Sequence, residues 1–355
     1  MLVRLPIARV VSPRLRPLHF SSGVPPADLS SQVLAMANGG LPALGTALSC
    51  WAVVLASIVA GQRALLFPTS ALGGVGAPVG ASGGRLVELD VSADAARPRG
   101  AGARLAAVYF EPAAPGKPTV AYFHANADQL GWGVEYIGAT LHARFGWGFY
   151  GVEFPGYGLL AERGGAPSEA SIVWASARML RHLTAARDDG GGLGEDARNV
   201  VLMGQSLGTA VALELAARSR EEAAADAPRP FAKVVLLSPF LSIPEVARSA
   251  LLPLRVLPVP VLRAFVRDPL DNAAAARRLR RSASGGATRV QILHGDQDEI
   301  VPYSHGVELA SLIREAGDSA TAEMVTVPKA GHNDLWAPHY ETSVLEAIRD
   351  FVERP

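Results

Sequence analysis

The chain of 355 residues has a single cysteine, Cys50. One thiol excludes an intrachain disulfide framework and a cysteine-based zinc site. Net charge is also lacking, because 33 Lys and Arg balance 33 Asp and Glu. No basic stripe stands out, so nucleic acid is not an expected partner. Charge is missing altogether from residues 41–61, LPALGTALSCWAVVLASIVAG. Cys50, in the middle of that run, reads as a small buried hydrophobe.

An uncharged run of this length fits one membrane span of about 20 residues. Before it lies a basic leader, residues 1–40, with Arg4, Arg9, Arg14 and Arg16 against Asp28. Pro6, Pro13, Pro17, Pro25 and Pro26 argue against a long helix there. The expectation is a single-pass membrane protein anchored by residues 41–61. The arginines favour a cytoplasmic N-terminus and put the main domain on the non-cytoplasmic side, although Arg63 weighs against that orientation. A targeting segment, a cleaved signal and a buried helix are the competing readings. Residues 62–84 read as a linker.

From residue 85 the pattern becomes regular. Strands are expected at 85–91, 104–111, 119–123, 147–154, 200–205, 232–237, 289–293 and 321–327. Helices are expected after Pro167-Ser168-Glu169, after Ser206 and over 341–352. Residues 188–197 read as an exposed, mobile loop. The alternation implies an α/β fold with a mostly parallel sheet flanked by helices, whose ligands bind outside the carboxyl ends of the strands. Residues 241–285 carry Pro244, Pro253, Pro258, Pro260 and Pro269 among apolar residues, and read as a small helical lid.

The stretch Val200–Gly208, VVLMGQSLG, joins an apolar strand to a helix through G-x-S-x-G. In that context the motif is a nucleophile elbow, with the Ser206 hydroxyl at its apex. A serine hydroxyl needs a neighbouring base, and the base needs an orienting carboxylate. The expected chain order is serine, acid, histidine. Asp298, beyond the strand that ends at His294-Gly295, supplies the acid in preference to Asp296. His332, in Gly331-His332-Asn333-Asp334, supplies the base. An oxyanion needs backbone donors, expected from Leu207, just after the serine, and from Asn126, in the loop after the 119–123 strand. His124 reads as a residue bracing that loop.

Several phrases together resemble the α/β-hydrolase superfamily, and within it the serine-aminopeptidase-like, Bem46-type branch. They are His124-Ala125-Asn126-Ala127, Phe154-Pro155-Gly156-Tyr157-Gly158, Pro167-Ser168-Glu169, Gly204-Gln205-Ser206-Leu207-Gly208, Ser238-Pro239-Phe240, His294-Gly295 with Asp298, Val301 and Pro302, and Gly331-His332-Asn333-Asp334. The resemblance spans residues 85–353. It implies the triad Ser206, Asp298 and His332, oxyanion donors at Asn126 and Leu207, and no cofactor or metal. Members include protein depalmitoylases and lipid or carboxyl esterases. Two departures stand out: Ala125 replaces a usual glycine, and Leu160 stands near a usual serine.

The expected function is hydrolysis of a carboxylic ester or acyl thioester, on a small or lipidated substrate, through an acyl-enzyme. The alternatives are an aminopeptidase-like enzyme and a non-catalytic binding protein on a hydrolase fold. The aminopeptidase would need a carboxylate cluster from Glu153, Glu162 or Glu169 to hold the substrate amine.

Overall fold

A computed structural model of the chain describes residues 61–64, 66–69, 79–126, 128–163, 165–187, 191–221, 231–250, 254–255, 257–279, 287–315 and 317–354. These belong to the second of two units of the chain, Val59–Pro355. The leader and almost all of the expected anchor lie outside the described residues. Among the described residues, no helix is long and apolar enough to cross a membrane.

Eight strands form one sheet: β1 Arg85–Asp90, β2 Arg104–Phe110, β3 Thr119–Phe123, β4 Gly148–Val152, β5 Val200–Gln205, β6 Lys233–Leu237, β7 Thr288–Gly295 and β8 Ala320–Val327. Their spatial order is β1-β2-β4-β3-β5-β6-β7-β8. β2 runs antiparallel to β1 and β4, and every pair from β4 to β8 is parallel. Central β3 and β5 are buried along their whole length, which is why they read as unbroken apolar runs.

Helices of the described residues include α1 Gly133–Phe145, α2 Glu169–Thr184, α3 Leu207–Glu221, α4 Ile243–Ala250, α5 Val259–Phe265, α6 Asn272–Leu279, α7 Tyr303–Arg314 and α8 Pro338–Glu353. Side chains of α1 and α8 bury one sheet face, with Ile137, Leu141, Ile348 and Phe351 at its core. α2, α3, α6 and α7 bury the other. Ser168 starts α2 with a capping box: its Oγ accepts from the Ser171 N–H, and Ser171 Oγ accepts from the Ser168 N–H at 2.9 Å.

Three sequence expectations change. The segment 241–285, expected as a small helical lid, contributes to the core. Ala273, Ala275, Ala276 and Leu279 of α6 are buried in the core, and Ile243 and Val246 of α4 pack against it. The loop before β5 is anchored where it is described. Leu193 is buried, its N–H donates to the His182 carbonyl at 3.0 Å, and Glu195 accepts from Tyr109 and Thr119 at 2.6 and 2.8 Å. The start of the expected linker is also fastened to the domain. Arg63 donates to both Asp268 oxygens at 2.6 and 3.1 Å, and Phe67 is buried in the core.

Candidate active site

β5 delivers Ser206 to the carboxyl edge of the sheet, and α3 starts at the next residue. Ser206 has φ +49°, a left-handed conformation uncommon for a residue with a side chain. Its N–H donates to the Leu237 carbonyl at 2.8 Å, which ties the turn to β6. The flanking glycines permit this turn through close approach. A Cβ on Gly204 would lie 2.2 Å from the Gly208 carbonyl oxygen, and one on Gly208 would lie 1.9 Å from that of Phe123.

Asp298 follows β7 and His332 follows β8. His332 Nδ1 lies 2.7 Å from Asp298 Oδ2, and its Nε2 lies 2.9 Å from Ser206 Oγ. The ring therefore donates to the carboxylate and leaves Nε2 facing the hydroxyl. Asp298 Oδ1 accepts from the N–H groups of Ile300 and Val301 at 3.0 and 2.7 Å. His294 Nε2–H also reaches Asp298 Oδ2, at 3.1 Å. Burial alone would raise the Asp298 pKa. The donations from His294, His332 and the backbone outweigh it and hold the carboxyl well below the usual carboxylate range. Asp296 is engaged elsewhere, accepting from the Lys329 N–H at 2.6 Å. Asp334 accepts from the Gly331 N–H and shapes the His332 loop.

Leu207 is the first residue of α3, so its N–H has no intrahelical acceptor. Ala125 and Asn126 line the same pocket as Ser206 and His332, a cavity of about 400 Å³. Tyr136, Ile137, Ile300 and Trp336 supply its apolar wall. No described residue of 241–285 lines it. Glu153, Glu162 and Glu169 do not line it either. Glu153 instead pairs with His124 at 3.2 Å beneath the loop, both fully buried. Burial would lower the His124 pKa, but the hydrogen bond and charge of Glu153 outweigh it and raise it.

Sequence reasoning missed the apolar wall and the contact of His294 with Asp298. The phrase His294-Gly295 marked the strand end without showing that its ring turns to the acid. α1, which carries Tyr136 and Ile137, had a weak signal because of its internal glycine.

No family model matches the chain. Among curated proteins, alpha/beta hydrolase domain-containing protein 17C of Xenopus tropicalis is 28% identical over 235 residues, 66% of this chain and 61% of that protein. The match therefore spans about three fifths of that relative's length. Human alpha/beta hydrolase domain-containing protein 17B is 27% identical over 257 residues, 71% of this chain and 72% of that protein. Among solved structures, carboxyl esterase 2 of the fungus Tuber melanosporum has TM-score 0.54 at 16% identity, over 76% of this chain and 85% of that one. The acylaminoacyl peptidase of Pyrococcus horikoshii has TM-score 0.54 at 11% identity, over 76% of this chain and 42% of that one. At such identities the solved structures share the fold alone. Strand order and the elbow between β5 and α3 give the chain the α/β-hydrolase fold, the fold its relatives and solved neighbours share.

Proposed function

We propose that the protein is a serine hydrolase that cleaves a small carboxylic ester or acyl thioester through an acyl-enzyme. The observation that carries this reading is the continuous line from Asp298 through His332 to Ser206 Oγ, at 2.7 and 2.9 Å, opening on the pocket. Ser206 Oγ attacks the acyl carbon while His332 Nε2 takes its proton. The carbonyl oxygen becomes an oxyanion facing the N–H groups of Leu207 and Asn126. Collapse breaks the bond to the leaving alcohol or thiol, which receives the proton from His332. Water then attacks the acyl-serine by the same proton route and releases the acid. Asp298 keeps the Nδ1–H tautomer and stabilises the transient imidazolium. The apolar wall of Tyr136, Ile137, Ile300 and Trp336 suits an acyl group, and among the described residues the lining carries one carboxylate, Asp128, in place of the cluster an aminopeptidase would need, which favours an ester or thioester. Attachment to a membrane through residues 41–61 belongs to the same proposal, and its support is the uncharged sequence alone.

A fluorophosphonate probe followed by intact-mass analysis tests the chemistry. Wild type gains one adduct, located at Ser206, and Ser206→Ala gains none. Asp298→Asn lowers kcat on p-nitrophenyl butyrate by orders of magnitude, whereas Asp296→Asn does not. A folded wild type that takes no adduct and hydrolyses neither esters nor thioesters would turn the reading to the non-catalytic alternative.

A further inference from the structure

Asn126 is held on three sides. Its Nδ2 donates to the Leu66 carbonyl at 2.7 Å, and Tyr157 Oη–H donates to its Oδ1 at 2.5 Å. The preceding peptide is held too, because His124 Nδ1–H donates to the Ala125 carbonyl at 2.7 Å. A trans peptide is planar, so the Ala125 C=O and the Asn126 N–H point in opposite directions. Fixing the carbonyl therefore fixes the direction of that N–H. Both ends of the Asn126 amide side chain are already engaged, which leaves its backbone N–H as the group offered to the pocket.

Leu66 lies 60 residues before Asn126 and outside the region of family resemblance. Its position is set by its own neighbours. Gln62 Nε2 donates to the Phe265 carbonyl at 3.2 Å, and Gln62 Oε1 accepts from the Arg267 N–H at 2.7 Å. Arg63 forms a two-point pair with Asp268, whose side chain is only 3% exposed and which also accepts from the Glu169 N–H at 2.9 Å. Phe67 is sunk in the core.

We propose that Gln62, Arg63, Leu66 and Phe67 form a positioning element of the oxyanion loop, which holds Asn126 through the Leu66 carbonyl while Tyr157 holds the other end of the same amide. The proposal rests on the reading of Ser206 as nucleophile. It gives the stretch following residues 41–61 a catalytic consequence in place of a linker's. If this segment shifts, the Asn126 N–H loses its aim at the oxyanion, while the triad and the apolar wall stay in place. Transition-state stabilisation falls and ground-state binding does not.

The test uses the full chain in detergent, with active sites titrated by the fluorophosphonate. Arg63→Ala unfastens the segment, and Tyr157→Phe removes the opposing hydroxyl with almost no change of shape. Each is expected to lower kcat on p-nitrophenyl butyrate about tenfold per titrated site, with KM unchanged. Affinity for a trifluoromethyl ketone, which binds as a tetrahedral adduct, should fall by the same factor. In an Asn126→Ala background, Arg63→Ala should add no further loss, because the two act through one group. A purely structural role would lower the melting temperature and the titratable fraction while leaving kcat per site intact. That result overturns the proposal, as does full additivity with Asn126→Ala. Should Arg63→Ala fail to fold, Tyr157→Phe and the Asn126→Ala/Tyr157→Phe pair decide the question by the same two readouts. A wild type that takes no probe and hydrolyses no ester removes the Ser206 reading and this one with it. An active wild type with unaffected variants removes this one alone.

Discussion

Three histidines meet near Asp298, and each has a different task. His332 bonds to Asp298 and Ser206, His294 shares the same carboxylate oxygen, and His305 accepts from the Leu241 N–H at 3.4 Å. Burial, reinforced by the charges of His294 and Arg248, pushes the His305 pKa down to about 4, against a weaker opposing pull from Asp298. Unfolded histidine titrates near 6.5. Between those values the unfolded chain takes up a proton that the folded one refuses, so stability falls as pH drops from about 6.5 to about 4. The slope from this residue is at most about 1.4 kcal/mol per pH unit. Urea midpoints of wild type and His305→Asn, measured at pH 6.5 and 4.5, should converge at the lower pH. Parallel losses in the two proteins would contradict this assignment. The bonding of Ser206, Asp298 and His332 was legible in the sequence because each sits in a phrase that also marks a strand end. The Leu66 and Tyr157 contacts to Asn126 were not, because Leu66 lies in no recognised phrase and the phrase holding Tyr157 does not show that its hydroxyl turns to Asn126.

At the scale of elements, the strands were legible and two helices were not, for one physical reason. α1 and α7 carry Gly138 and Gly306 in their interiors, where glycine costs about 1 kcal/mol and weakens the helical signal. Packing explains both. A Cβ on Gly138 would lie 2.5 Å from the Phe149 ring, and one on Gly306 would lie 2.5 Å from His294 Nδ1. Both glycines let a helix close onto the sheet. The elbow takes the same logic furthest, since a methyl group on Gly208 meets the β3 backbone and no flexible side chain can yield. Gly208→Ala should therefore destabilise the domain by about 3 kcal/mol and abolish probe labelling. Gly317→Ala is the comparison: φ is +60° there and nothing lies near the added methyl, so the cost should be about 1 kcal/mol. Equal losses in chemical denaturation would show that backbone conformation, not close approach, governs the elbow.

For the whole molecule, the link between the uncharged run and the catalytic domain matters most. That run ends at Gly61, and Gln62 already bonds to the backbone of residues 265 and 267. If residues 41–61 span a bilayer, no sequence separates the span from the first residue bonded to the domain, so tether length is a variable that turnover on a lipid-borne acyl group can test. Carbonate extraction of membranes bearing the full chain tests the anchor: the protein should stay in the pellet, and a variant lacking residues 1–60 should not. Release of the full chain, leader still attached, would remove the membrane claim and leave the chemistry at Ser206 untouched. Slack is tested separately. Inserting ten Gly/Ser residues after Gly61 preserves the anchor and every described contact while adding a flexible tether of about 15–20 Å. With a short-chain soluble ester, kcat/KM should not change. With the same acyl group carried on a vesicle-bound lipid, turnover should fall if closeness to the bilayer is what the short link provides. Equal turnover on both substrates would mean that the anchor delivers the enzyme to a compartment and has no part in presenting the substrate.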